Sequence, residues 1–84
     1  MTVRWVFRRG PREVTTIEVV RTGAMCRVST IGASGTAIHE RLPTVIEAVL
    51  RQADHERQLV GLGWYLARFD HGVRDMTRRR SHTA

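Results

Sequence analysis

From Thr44 to Leu62 apolar residues recur at helical spacing for longer than anywhere else in the chain, and this stretch decides what the remainder can become. Ile46, Val49, Leu50, Ala53 and Val60 stand three, four and seven residues apart, with Val45 and Leu59 widening the stripe, so the pattern predicts an amphipathic helix burying that stripe. Thr44 followed by Glu47 reads as a capping box, the hydroxyl accepting a free N–H of the first turn and the carboxylate reaching back to the cap. Pro43 suits a helix start, and Gly63 offers the left-handed conformation that ends one. At 1.5 Å per residue such a helix is roughly 28 Å long, enough to cross a small sheet. The other side of the helix holds Glu47, Arg51, Asp54, His55 and Gln58 and reads as solvated.

What precedes the helix reads as strand. Val3, Trp5 and Phe7 alternate with Arg4, Val6 and Arg8, predicting a half-buried strand that stops at Gly10 and Pro11. Val14 to Thr22 is rich in β-branched residues and reads as a central strand. Met25 to Ile31 forms a third strand whose inward pair is either Cys26 with Val28 or Met25 with Ile31. A loop from Gly32 to Gly35 leads to a fourth strand, Thr36 to Leu42. After the helix, Trp64 to Phe69 reads as a short fifth strand or an extended piece packed on the helix end. The expected fold is α+β: a four-stranded antiparallel meander, one long amphipathic helix across one face, and a short C-terminal strand. Residues 1–70 would form the single domain and residues 71–84 a disordered, arginine-rich tail.

Charge is where the sequence speaks most directly about partners. The formal net charge is +6, and all 14 basic residues are arginine. The surplus lies before and after the helix, whereas residues 43–63 are slightly acidic, with Arg51 and Arg57 against Glu47, Asp54 and Glu56. On the strand alternation, Arg4, Arg8, Arg27, His39 and Arg41 share the face that the helix leaves open, as do the apolar Val6, Val14, Val20 and Ile31. Arginines that neighbour one another across strands are mildly destabilising unless something anionic lies between them. The run Arg78, Arg79, Arg80 can neutralise phosphates without reading sequence. Of the aromatic residues, Trp5, Phe7 and Trp64 read as core, and Tyr65 is the better candidate for stacking a base.

Reaction chemistry is harder to find. His55-Glu56 opens like a zinc-protease motif, but Leu59 stands where a second ligand is needed, and His39-Glu40 meets Pro43 in the same place. Gly61-Leu62-Gly63 follows a helix rather than a strand and reads as a helix stop, not a dinucleotide fingerprint. Gly32 to Gly35 has no lysine or following helix and reads as a turn. Cys26 and His39 could face each other on adjacent strands, but no acid is placed to orient the histidine. The reading is of a protein that is not an enzyme, with no catalytic residues, metal, cofactor or small-molecule substrate. One cysteine excludes an internal disulfide, no apolar run approaches the roughly 20 residues of a membrane span, and Arg4, Arg8 and Arg9 stand where a signal peptide needs apolar residues. A cytoplasmic protein without membrane association is the expectation.

Two resemblances add to this reading. Trp5-Val6-Phe7-Arg8-Arg9-Gly10, a sheet, a long helix, Gly63-Trp64-Tyr65-Leu66 and an arginine-rich end together resemble a group of short uncharacterised bacterial proteins with no activity to transfer. In architecture alone, four strands then a helix is similar to one repeat of the Whirly-like single-stranded DNA-binding proteins, which implies a strand held on a curved sheet. The function expected is non-specific binding of nucleic acid, single-stranded in preference, by a domain expected to be a homodimer, through Arg4, Arg8, Arg27, His39, Arg41, Arg78, Arg79 and Arg80. The alternative is a protein-interaction or homodimerisation module using a sheet edge or the second face of the helix.

Overall fold

A computed structural model describes residues 1–72, so Arg78, Arg79 and Arg80 lie outside the described residues. Its elements are β1 (Thr2–Arg9), β2 (Glu13–Thr22), β3 (Met25–Ile31), β4 (Ala37–Leu42), α1 (Val45–Gly61) and β5 (Tyr65–His71). The strands form one antiparallel sheet in the order β4-β3-β2-β1-β5. The fold is therefore the α+β meander with its helix and fifth strand. β5 continues to His71, one residue past the expected end of the domain, because it pairs with β1 along its length, Val3 opposite His71. A register shift between Val6 and Phe7 leaves Ala67 as an extra residue, a bulge in β5.

Local chemistry sets the turns and helix ends. Thr22 pairs with Met25 across a two-residue connection in which Gly23 takes a φ of 63° and Ala24 does not go positive, the pattern of a tight II′ hairpin. Thr44 caps α1 by accepting the Glu47 N–H at 3.1 Å, and its hydroxyl donates to the Glu47 carboxylate at 3.0 Å. The carboxylate therefore closes on the hydroxyl, not on the backbone N–H that a capping box uses. At the far end the N–H groups of Gly63 and Trp64 bond to the carbonyls of Val60 and Leu59, and Gly63 sits at φ 94°, a Schellman ending. Arg9 completes it, donating to the Leu62 carbonyl at 3.1 Å where the helix dipole is negative.

The core lies between α1 and the strands β2 and β3, built from Phe7, Ile17, Val19, Cys26, Val28 and Ala48. Trp5, Leu42, Val45, Leu59 and Trp64 pack around it. Of the two inward pairs possible for the third strand, Cys26 with Val28 is the one buried.

The helix is rotated from its expected setting. Ala48 and Gln52 are its buried residues, whereas Ile46, Val49, Leu50 and Val60 are all at least half exposed, Ile46 at 73 %. A physical reason is close approach: Ala48, fully enclosed, brings the axis nearer the sheet than a row of branched side chains would allow. The side that reads as solvated supplies the second reason. Glu40 on β4 accepts from His55 Nε2 at 2.8 Å and pairs with Arg51 at 3.2 Å, tying that flank to the sheet.

Candidate nucleic-acid interface

Strand alternation and register place the open-face residues in rows. One row crosses all five strands as Asp70, Arg4, Glu18, Ser29 and His39, each directly opposite the next. A second holds Thr2, Val20, Arg27 and Arg41; a third Arg68, Val6, Thr16, Ile31 and Ala37; a fourth Tyr65, Arg8 and Val14. Arg4, Arg8, Arg27, His39 and Arg41 all occupy the open face, but they do not form one cluster.

Arg4 is neutralised where it stands, donating to Glu18 through Nε at 3.2 Å and Nη2 at 2.7 Å. Arg68 likewise meets Asp70 at 2.9 Å. His39 shares a 2.6 Å hydrogen bond between its Nδ1 and the Ser29 hydroxyl. Ser29 is completely enclosed, so that hydroxyl cannot reach a substrate. Cys26, considered as a nucleophile beside His39, points to the covered face opposite Leu42, and the two are on opposite sides of the sheet.

Arg27 and Arg41 are different. They sit directly opposite each other on β3 and β4, both exposed, and neither has a carboxylate within 4.0 Å among the described residues. With Thr22, Met25 and Cys26 they line an open hollow of about 340 Å³ at the end of the sheet. Two guanidinium groups facing across a ladder repel, and a phosphate oxygen between them would turn repulsion into two charge-assisted hydrogen bonds. Arg8, at the opposite corner, also lacks a described carboxylate partner and faces Tyr65, a residue 56 % exposed. By ordinary strand rise and spacing, Arg8 lies roughly 25 Å from Arg41 along the diagonal.

Arg9 and Glu13 show what a committed arginine looks like. Their two side-chain bonds, 3.0 and 2.8 Å, hold the Glu13 carboxyl below its ordinary range and the Arg9 guanidinium above its own, partial desolvation opposing both. The same guanidinium lies 4.9 Å from the Trp64 ring centre. Sequence reasoning gave Arg9 no task, because its partners Glu13, Leu62 and Trp64 meet only in the fold.

Trp5 and Phe7 point to the covered face, Trp5 resting tilted on Phe69 with ring centres 5.6 Å apart. Among the described residues no group of three His, Cys, Asp or Glu is arranged to hold a metal ion, and no helix is long and apolar enough to cross a membrane. No protein-family model matches the chain, and comparisons with curated proteins and with solved structures found no match either.

Proposed function

We propose that this protein binds nucleic acid, single-stranded in preference and with little sequence reading, across the open face of its sheet. The observation that carries the proposal is Arg27 opposite Arg41 with no described carboxylate between or beside them. Phosphate neutralisation at that pair supplies the affinity, Arg8 adds a second cationic point, and Tyr65 gives a surface on which a base can stack, worth on the order of 1 to 3 kcal/mol. Arg78, Arg79 and Arg80 extend the positive charge along the chain. Arg4 belongs to the scaffold under this reading, since Glu18 already occupies it, and His39 serves as a hydrogen-bonding group fixed by Ser29. The four-strands-then-helix order, similar to a Whirly-like repeat, agrees with a strand lying on the sheet. No catalytic step and no cofactor enter the proposal, and the cytoplasm is its proposed setting.

The test is a titration of a fluorescent single strand and of a duplex at several salt concentrations. Affinity should favour the single strand and fall with salt at roughly 0.7 logarithmic units per phosphate contacted. Replacing both Arg27 and Arg41 with alanine should flatten that slope by about 1.4. An unchanged slope in the double variant, or near-total loss of binding in a chain ending at Gly72, would remove the sheet face from the mechanism.

A further inference from the structure

The helix covers only part of its side of the sheet. It packs on β2, β3 and β4, and Glu40 holds its Arg51 and His55 flank over β4. The opposite flank, with Val49, Ala53 and Val60, therefore looks toward the part of the same face that α1 leaves bare, where Trp5, Leu66 and Phe69 stand on β1 and β5. Helix flank and bare strands border one groove on that side of the sheet, apolar except for Glu56 and Arg57 on the helix. Ile46, Val49, Val60, Leu66 and Phe69, each exposed over half or so of its surface or more, offer on the order of 500 Å². With half-buried Trp5 and Ala53, the patch reaches roughly 600 Å² per partner, the lower end of a standard stable interface.

We infer that a second copy of this chain occupies the groove, its helix α1 lying antiparallel to the first about a two-fold axis near Ala53. Three observations select a copy of itself. The stripe has nearly the same order of shapes read from either end: Ile46 and Val60 stand seven residues to either side of Ala53, and Val49 and the aliphatic stem of Arg57 four. A two-fold contact requires such self-complementarity. Ala53 at the crossing is small enough for the axes to approach to about 8 Å. Charge is the third: in a chain of net charge +6 this flank is nearly neutral, because Arg57 is paired with Asp54 and Glu56 lies beside it. Two copies meeting here keep their basic open faces on the outside, away from each other. The chain's own remaining residues fit the groove poorly, since between Gly72 and the end Val73 and Met76 are the sole large apolar side chains.

Sedimentation of the full chain across the micromolar range tests this. The expected result is a dimer that Val49→Glu with Val60→Glu converts to a monomer of unchanged far-ultraviolet circular dichroism. Independently, Ala53→Cys should form a disulfide-linked dimer under mild oxidation, whereas Glu47→Cys, away from the groove, should not. A monomer throughout the range, a dimer that survives the double substitution, or a monomer that binds anionic vesicles through the same residues would each overturn the inference. The Arg27 and Arg41 alanine variant should remain dimeric, so this result and the nucleic-acid result fail separately.

Discussion

The two flanks of α1 differ in a way their composition conceals. The flank toward β4 is polar and mated, Arg51 and His55 both held by Glu40, while the flank toward β1 and β5 is apolar and bare. Hydrophobic burial decides how a helix sits, and here Val45, Ala48 and Leu59 supply it, while a carboxylate with two partners fixes the rotation that leaves the larger stripe out. The difference teaches that an apolar stripe marks a surface seeking cover without saying from which chain the cover comes.

The largest expected contrast separates the mated core from the bare stripe. Phe7→Ala, at a fully enclosed side chain, should cost about 3 to 5 kcal/mol in urea unfolding, whereas Leu50→Ala, at 60 % exposure, should change the dilute monomer by less than about 0.5 kcal/mol. Equal costs would erase the distinction. Next in size is a pair of identical changes on the two sides of one helix. Ala48→Leu overfills the seam against the sheet and should cost about 1 to 3 kcal/mol, while Ala53→Leu enlarges the bare stripe and should leave monomer stability nearly unchanged. A smaller effect belongs to the polar flank: Glu40→Gln weakens both of its partners in a partly solvated setting and should cost about 1 kcal/mol, measured against the wild type at neutral pH. The smallest is a pH effect far from the helix flanks. Because Arg9 lowers the carboxyl pKa of Glu13 in the folded state, that pair contributes stability above the carboxyl range of the unfolded chain and loses it as pH falls through the folded value. Glu13→Gln should therefore be slightly less stable than wild type at pH 7, and the gap should close in acid.

Most of the fold was legible because its determinants are local. Two-residue alternation, Gly23 in the hairpin and Gly63 at the helix end all act within a few residues of themselves. Helix rotation was not, since Ala48 and Gln52 carry too little apolar surface to announce themselves against Ile46 and Val49. For the candidate interface, alternation placed Arg4, Arg8, Arg27, His39 and Arg41 on the open face, but not which of them is spoken for. Arg4 meets Glu18 fourteen residues away, a pairing that depends on the register between β1 and β2. Arg27 opposite Arg41 likewise depends on where the loop between β3 and β4 sets its ladder.

Cys26, the single thiol, is 1 % exposed in the core cluster it shares with Ala48 of α1, and an alkylating reagent gains access to it when the packing of α1 on β3 opens. Its labelling rate is accordingly a built-in clock for helix undocking, readable without adding any probe. A partner lying alongside α1 would slow that clock even though it never touches the sulfur.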